Sequence, residues 1–303
     1  METEHRAGFV NIMGKPNVGK STLLNRITGE KLSIVTPKAQ TTRHRIKAIV
    51  SKDNFQVIFS DTPGIIEPAY LLQNKMMGFV QAAMKDADLL VFMANADDAA
   101  CDAEILACIK SVQIPCLIVL NKADLVNQEQ LTTLMETWRK GLQEQNLSSQ
   151  VKEIVPVSAK VGFNTEVLLN LMVSYLPVSP AYFPKDQITD LPERFFVAEI
   201  IREKILLYYK QEIPYSVEVV ITSMKRDKKL IRIHAEIITE RQSQKGILIG
   251  PGGIAMKQVG TQARKGIEQF LKSHVYLELL VKVKPDWRKK ENMLRDFGYD
   301  SEQ

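Results

Sequence analysis

Short apolar runs alternate with longer amphipathic segments through the first part of the chain. The apolar runs are long enough for buried strands and cover residues 9–13, 55–59, 89–93, 116–120 and 154–157. Segments with helical spacing lie between most of them and after the last, at residues 21–27, 71–85, 103–111, 128–143 and 165–175. This alternation predicts an α/β domain in which helices cover both faces of a mostly parallel sheet.

One strand of that sheet is expected to run the other way. Residues 46–51 and 55–60 both have strand character and are joined by the turn at Asp53 and Asn54. So short a connection predicts a hairpin, because parallel strands need a much longer crossover. The first hairpin strand is therefore expected at an edge of the sheet.

The pattern changes after residue 175. The stretch LPVSPAYFPKDQITDLP contains four prolines, which prevent a continuing helix and predict an extended linker. We place a first domain at residues 5–177, the linker at 178–191 and a second domain at 192–303.

The second domain has its own order of elements. A helix of about 18 residues is expected from Glu193, followed by alternating segments around residues 217–221 and 231–237 that form a hairpin. Two helical stretches then flank a Gly-Pro-Gly-Gly turn, and alternation over residues 275–283 predicts a last strand. The order α-β-β-α-α-β predicts an α+β domain with a three-stranded sheet backed by helices.

The net charge of +5 is divided unevenly between these domains. Residues 1–190 contain 19 basic and 20 acidic side chains, residues 191–303 contain 21 and 15, and residues 241–290 contain 11 and 3. A basic second domain favours a polyanionic partner, although a solvated face is the simpler interpretation of any single lysine run. No apolar stretch reaches the roughly 20 residues of a membrane span, and three cysteines lack metal-ligand spacing. We therefore expect a cytoplasmic protein.

The first glycine-rich turn follows the first strand and opens a helix. Its sequence GKPNVGKS, residues 14–21, fits the pattern G-x-x-x-x-G-K-[ST]. Glycines at these positions let backbone N–H groups point at a phosphate chain, and the helix end adds a favourable dipole. Lys20 is expected to reach the β- and γ-phosphates and Ser21 to bind Mg²⁺. The alternative, a tight turn without a ligand, is less favoured in this context.

Three further loops follow the carboxyl ends of predicted strands, the edge at which open α/β sheets bind ligands. They are Asp61-Thr62-Pro63-Gly64, Asn121-Lys122-Ala123-Asp124 and Ser158-Ala159-Lys160. Asp61 is suited to hold Mg²⁺ through water, and the Gly64 N–H to meet a γ-phosphate. The Asp124 carboxylate can accept two hydrogen bonds from guanine that adenine does not offer, so we expect ATP to be a poor ligand.

These motifs, together with the sequence QTTR at residues 40–43, resemble the five nucleotide motifs of translation-factor-class GTPases. The sequences PNVGKS and QTTR resemble those of the branch that includes the Era family. The resemblance implies that Thr42 binds Mg²⁺ when the γ-phosphate is present, with Thr41 as the less favoured candidate. It implies catalytic roles for Lys20, Thr42 and Gly64, and metal ligation by Ser21, Thr42 and Asp61. The implied nucleotide-binding residues are Gly14, Lys15, Pro16, Asn17, Val18, Gly19, Lys20, Ser21, Thr22, Asp61, Thr62, Pro63, Gly64, Asn121, Lys122, Asp124, Ser158, Ala159 and Lys160.

One position departs from many small GTPases. Ile65 follows the DTPG motif where those proteins have a glutamine that orients the attacking water. Isoleucine cannot orient water, so we expect slow intrinsic hydrolysis assisted by a partner, by a polar group such as Thr41, or by a monovalent cation. Asn17 matches a K⁺-binding asparagine of some relatives; that it caps the turn is an equal alternative.

The second glycine turn, Gly250-Pro251-Gly252-Gly253, joins two helical stretches in the most basic segment. A G-x-x-G loop between helices lets the backbone approach an RNA phosphate, which is how KH domains bind single-stranded RNA. The second domain resembles a type II KH domain, although the family's basic or amide residue between the glycines is replaced by Pro251-Gly252. The expected RNA-binding residues are Lys245, Gly250, Pro251, Gly252, Gly253, Lys257, Arg264 and Lys265.

A P-loop GTPase domain followed by a type II KH domain resembles the Era family over roughly residues 6–299. The resemblance implies Mg²⁺-assisted hydrolysis of GTP to GDP, binding of the 3′ end of 16S rRNA, and a role in assembly of the 30S ribosomal subunit. It also implies peripheral contact with the inner membrane; we expect a monomer. Three alternatives stay open: a P-loop ATPase or kinase, a binding protein without relevant turnover, and a tRNA-modifying GTPase.

Overall fold

The computed structural model describes residues 4–98 and 100–300. The chain forms two compact units whose boundaries differ from a simple division along the sequence. The first unit comprises the chain up to Ser33 together with Thr42–Glu67 and Met77–Asp190. The second comprises the chain from Leu191 together with two segments from the first half, Ile34–Thr41 and Pro68–Met76.

The first unit is built on a six-stranded sheet. Its strands are β1 Arg6–Gly14, β2 Ile46–Lys52, β3 Phe55–Asp61, β4 Leu89–Asn95, β5 Cys116–Asn121 and β6 Val151–Pro156. The order is β2-β3-β1-β4-β5-β6, with β2 antiparallel to β3 and every other pair parallel. Strands β3, β4 and β5 are almost wholly buried, as expected of strands covered on both faces. The predicted fold class and the antiparallel edge strand are confirmed.

In the described part of the chain, four helices lie between successive strands of this sheet and a fifth follows β6. They are α1 Lys20–Thr28, α2 Leu71–Lys85, α3 Ala103–Lys110, α4 Gln128–Glu144 and α5 Thr165–Tyr175. On one side of the sheet they bury a core that includes Phe92, Ile118 and the fully buried indole of Trp138. Because β1, β3, β4 and β5 are parallel, their carboxyl ends lie at the same edge of the sheet.

The proline-rich segment is extended, as its composition predicts, but it is hydrogen-bonded along its length. The Ile49 N–H donates to the Ile188 carbonyl at 2.9 Å. The Gln56 side chain accepts from the N–H groups of Tyr182 and Phe183 and donates to the Phe183 carbonyl at 2.8 Å. An edge strand has unpaired backbone groups, so this segment satisfies part of the edge that β2 would otherwise expose.

The second unit has the predicted order of helices and strands. Its elements are α6 Glu193–Tyr208, α7 Ile213–Ser216, β7 Glu218–Arg226, β8 Ile231–Thr239, α8 Gln242–Ile249, α9 Ile254–Leu271, β9 Val275–Val283 and α10 Glu291–Asp296. β8 is the central strand, antiparallel to β7 and parallel to β9. The short helices α7 and α10 are additions that the hydrophobic pattern does not predict, because four to six residues give too few turns for a clear period.

One face of this sheet packs against α6 and α9. The shared core includes Val197 and Ile201 from α6, Ile233 from β8, and Val259 and Ile267 from α9. Within the described part of the chain, no helix combines the length and apolar character needed to cross a bilayer.

Candidate nucleotide and RNA sites

The first glycine turn leaves β1 and enters α1 through residues that need a positive φ. Gly14 has φ 144° and Gly19 has φ 103°. A Cβ atom on Gly19 would lie 2.2 Å from Asn121 Nδ2, and one on Gly14 would lie 2.5 Å from the Met93 carbonyl oxygen. Both positions therefore require glycine for space as well as for conformation, which keeps the loop backbone open at the start of the helix.

The Lys20 side chain is buried inside this loop. Its ammonium group donates to the carbonyl oxygens of Gly14 at 2.9 Å and Lys15 at 3.0 Å. Burial lowers the pKa of Lys20 to about 8, and the nearby Asp61 carboxylate opposes this shift. A polyanion bound in the loop would favour the charged form of Lys20.

Ser21, Thr42 and Asp61 converge at the end of β3. Ser21 Oγ donates to Asp61 Oδ2 at 2.7 Å and lies 3.1 Å from Thr42 Oγ1, which donates to the same carboxylate oxygen at 3.3 Å. The Thr41 hydroxyl instead bonds to Thr36 Oγ1 and to the Lys38 carbonyl. Of the two neighbouring threonines, Thr42 is therefore the one that the structure brings to the predicted metal ligands.

This cluster suits Mg²⁺ chemically. Asp61 is fully buried, and its Oδ1 atom has no hydrogen-bond partner among the described residues. Burial raises the pKa of Asp61, although the Ser21 hydrogen bond and Lys20 oppose the shift. A hard cation with oxygen ligands would satisfy that atom, with Ser21 and Thr42 as hydroxyl ligands and Asp61 direct or through water. When bound, Mg²⁺ supplies positive charge that neutralises phosphate oxygens.

No group of three or more histidine, cysteine, aspartate or glutamate side chains in residues 4–98 and 100–300 could hold a metal. A site built on one carboxylate and two hydroxyls leaves most of the coordination to water and phosphate, which is typical of Mg²⁺ with nucleotides.

The loop after Asp61 lies against the first glycine turn. The Thr62 hydroxyl donates to the Ile12 carbonyl at 3.2 Å, and a Cβ atom on Gly64 would lie 2.8 Å from Pro16 N. The Ile65 N–H donates to the Gly14 carbonyl at 3.3 Å, while its side chain packs against the apolar core. Pro63 lies between Thr62 and Gly64 in this loop. The Ile65 side chain consequently contributes packing and no polar atom to this site.

The two loops predicted to bind the base are joined by one side chain. The buried Asn121 donates from Nδ2 to the Val18 carbonyl at 2.8 Å, and its Oδ1 accepts from the Ala159 N–H at 3.0 Å. Lys122 has φ 65°, and Asp124 is exposed at the surface of this loop. The carboxylate of Asp124 is therefore accessible to a ligand.

The last loop has a support that sequence analysis missed. Ser158 is fully buried, whereas Lys160 is exposed. The Arg26 side chain, at the end of α1, donates to the Ala159 carbonyl at 3.3 Å and to the Lys160 carbonyl. An arginine in a last helical turn gives no sequence signal for such a contact, because the same position commonly interacts with its own helix end.

In the second unit, the Gly250–Gly253 turn joins α8 to α9 with three glycines at positive φ. These angles are 73° for Gly250, 57° for Gly252 and 75° for Gly253. No heavy atom lies within 4 Å of a Cβ placed on Gly252 or Gly253, so the turn is open to solvent on that side. Pro251 is exposed between them. The backbone is accessible to a phosphate, as a G-x-x-G loop requires.

A groove of about 550 Å³ begins at this turn and runs between α9 and the sheet. Lys245, Lys257 and Arg264 line it, whereas the exposed Lys265 does not. Its apolar lining includes Ile249, Met256, Leu277, Leu279 and Leu280. Gly260 lets α9 approach β9, because a Cβ there would lie 3.3 Å from Leu279 Cδ1. An apolar floor with a basic rim suits unpaired bases and their phosphates.

Comparison with known proteins agrees with this geometry. A protein-family model described as 50S ribosome-binding GTPase matches residues 9–122, and one described as KH domain matches residues 212–288. A crystal structure of a variant of Aquifex aeolicus Era bound to GDP and AlF4⁻ is 38% identical, with 97% of this chain and 99% of that chain covered and a TM-score of 0.91.

A second solved structure, Era in complex with MgGDPNP and nucleotides 1506–1542 of 16S ribosomal RNA, is also 38% identical. The same shares of the two chains are covered, and the TM-score is 0.90. Identity at this level extends across both the nucleotide-site unit and the KH unit. The chain therefore belongs to the Era family of GTPases.

Proposed function

We propose that this GTPase binds the 3′ end of 16S rRNA through its KH unit and acts in assembly of the 30S ribosomal subunit. The observation that supports the proposal most strongly is the similarity, over 97% of the chain, to an Era structure that contains both MgGDPNP and nucleotides 1506–1542 of 16S ribosomal RNA. The basic, apolar-floored groove beside Gly250–Gly253 has the chemistry that single-stranded RNA requires.

Within the nucleotide site we assign Lys20, Thr42 and Gly64 to the γ-phosphate and Asp124 to the guanine base. Support comes from the buried Lys20 ammonium, from Thr42 beside Ser21, and from the accessible Asp124 carboxylate. Because the Ile65 side chain offers no polar atom to orient water, intrinsic hydrolysis of GTP is expected to be slow.

A K⁺ ion beside Asn17 is the proposed source of additional positive charge during hydrolysis. Asn17 is exposed in the glycine turn with φ 64°. Replacement by glycine keeps this conformation and removes the side-chain oxygen. Hydrolysis by the natural protein is expected to be faster in KCl than in NaCl, and N17G is expected to lose the difference. Equal rates of hydrolysis in both salts would contradict the proposed K⁺ ion and would favour a partner as the source of assistance.

The protein is proposed to act as a cytoplasmic monomer with peripheral contact with the inner membrane. The basic balance of residues 191–303 is suited to anionic lipid as well as to RNA. Light scattering of the purified protein tests the oligomeric state, and fractionation of cells at low and high salt tests the membrane contact.

The RNA substrate is tested by crosslinking in cells. The double variant Gly252→Asp and Gly253→Asp adds two carboxylates where the turn is open, so it repels phosphate without a steric clash. Gly29→Asp is a matched control, because Gly29 also has positive φ, 72°, and open space around it. We expect crosslinks to the 16S rRNA 3′ end with the natural protein and G29D, and their loss with the double variant. Crosslinks to other RNA alone would contradict the assigned substrate.

A binding protein whose turnover is irrelevant is the second candidate function. It predicts the same RNA affinity with GDP, with GDPNP and without nucleotide. The proposed GTP-switched function predicts different affinities in these states, which fluorescence anisotropy with a labelled 3′-end RNA measures.

A further inference from the structure

The segment Ile34–Thr41, here called the switch segment, precedes Thr42 in the sequence but belongs to the second compact unit. Two of its residues contact α6, the first helix of that unit. The Lys38 ammonium donates to the carbonyl oxygens of Leu206 and Tyr209, and the Arg202 guanidinium donates to the Thr41 carbonyl.

Lys38 occupies the place of a helix cap. The last carbonyls of a helix have no partner within the helix and carry partial negative charge, so a cation there is favourable. Helix α6 ends at Tyr208 without a basic residue in its last turn. Lys38 supplies that charge from a distant part of the sequence. Burial lowers the pKa of Lys38, and Lys210 adds to this shift.

The Arg202 side chain is fixed by burial and by Glu199, independently of its contact with the switch segment. Its side chain is 1% exposed, and its Nε atom donates to Glu199 Oε1 at 2.7 Å one helical turn away. Burial opposes the charge, but the Glu199 carboxylate outweighs burial and raises the pKa of Arg202. A planar, always charged group fixed in this way presents its remaining N–H donors in one direction.

The contact at Thr41 is one peptide bond from the metal cluster. The Thr41 hydroxyl donates to the Lys38 carbonyl at 2.6 Å, so the two residues that contact α6 are also joined to each other. The next residue, Thr42, has its hydroxyl 3.1 Å from Ser21 Oγ. A shift of the Thr41 carbonyl would therefore move Thr42.

We propose that Lys38 and Arg202 are positioning residues that fix the switch segment on α6 and thereby hold Thr42 in the arrangement that binds Mg²⁺ and the γ-phosphate. Neither side chain touches the nucleotide in this scheme. The positioning is needed for GTP and not for GDP, because GDP has no γ-phosphate for Thr42 to complete a site around.

Helix α6 also packs on the helix that lines the RNA groove. Val197, Ile201 and Ile205 of α6 share a buried core with Val259 and Ile267 of α9. Gly266 brings the two helices close, since a Cβ there would lie 3.0 Å from Ile200 Cγ2. Bound RNA that shifts α9 would also shift α6. Because such coupling is reciprocal, RNA and the γ-phosphate would change the affinity of the protein for each other by the same factor. This extension alone rests on the proposed RNA-binding function.

The experiment compares Lys38→Met with Lys210→Met in the full-length protein without RNA. Both changes remove one positive charge near the end of α6, but only Lys38 donates to its carbonyls. Affinities for GDPNP and GDP are measured by calorimetry with Mg²⁺ present. We expect K38M to lower the ratio of GDPNP to GDP affinity by about fivefold or more. K210M is expected to leave this ratio unchanged, and Lys38→Arg to keep it close to that of the natural protein.

The same change in a Thr42→Ala background tests whether Lys38 acts through Thr42. We expect K38M to have no further effect on the affinity ratio there, because the group it positions is gone. The paired change Glu199→Met with Arg202→Met removes both buried partners together and is expected to lower the ratio as K38M does; circular dichroism checks that each variant is folded.

An equal loss of GDPNP and GDP affinity in K38M, or an undiminished effect of K38M in the T42A background, would overturn the proposal. RNA affinity is then measured separately with the 3′-end RNA. Absence of RNA binding by the natural protein would contradict the proposed function and leave the nucleotide result standing, so the two failures are distinguishable.

Discussion

The side-chain Nδ2 atom of Asn121 donates a 2.8 Å hydrogen bond to the main-chain oxygen of Val18, 103 residues earlier in the chain. The opposite end of the same amide accepts from the Ala159 N–H. One buried side chain therefore joins the phosphate loop to the loop expected beside the base. Its geometry fixes both of the loops that are predicted to contact the nucleotide.

Replacement of Asn121 by alanine is expected to weaken binding of GTP and GDP alike. The change would leave the Val18 carbonyl and the Ala159 N–H without their partner, which is expected to lower the free energy of unfolding by about 2 kcal/mol. The two loops are then no longer held in the arrangement that faces the nucleotide, and we expect nucleotide affinity to fall about tenfold. Calorimetric titration with GDP and with GDPNP measures both affinities. Asn127→Ala is the control, because it removes only the exposed cap of α4. An N121A protein that binds both nucleotides normally would contradict this role.

Asp124→Asn is expected to change the preferred base. An amide can no longer accept two hydrogen bonds from guanine, but it can donate to the oxygen at position 2 of xanthine while accepting from its N1–H. We expect GDP affinity to fall about a hundredfold and XDP affinity to rise. Competition titrations with GDP, XDP and ADP measure the change. Asp53→Asn, in the exposed hairpin turn, should leave base preference unaltered, and an unaltered preference in D124N would favour a nucleotide site of another class.

Charge reversal on α9 is expected to distinguish the contribution of the groove to RNA affinity from that of the rest of the basic surface. Lys257 lines the groove and Lys265 does not, although both are exposed lysines on the same helix. Lys257→Glu should weaken RNA binding about tenfold and reduce the salt dependence by about one phosphate contact. Lys265→Glu should change affinity much less. Equal losses in both variants would show that long-range charge, and not the groove, determines RNA affinity.

Cys116 is expected to be unreactive in the folded protein. It is fully buried in β5, and burial raises its pKa to about 12, so the nucleophilic thiolate is nearly absent at neutral pH. Cys101 and Cys108 are partly exposed, and burial raises the pKa of each thiol, so slow reaction is expected. Labelling with a disulfide reagent followed by mass spectrometry should modify Cys116 only after denaturant is added. Rapid labelling of Cys116 under native conditions would contradict its burial.

The amino-acid sequence by itself determined the elements of both units and the order of the site loops. Strand and helix periods are local properties, so the alternation of apolar runs sufficed for the six-stranded sheet with its antiparallel edge and for the α-β-β-α-α-β order. The motif at residues 14–21 could be recognised because phosphate binding there depends on consecutive backbone groups. The predicted guanine preference likewise rests on the chemistry of one carboxylate, that of Asp124.

The tertiary structure alone decided which distant groups meet. Asn121 reaches Val18, Arg26 reaches the Ala159 loop, and the switch segment belongs to the second unit through Lys38 and Arg202. The position of Lys265 outside the groove depends on how α9 is rotated against β9, since each residue of a helix turns by about 100°. Such relationships arise from long-range packing, which brings together side chains that share no local pattern.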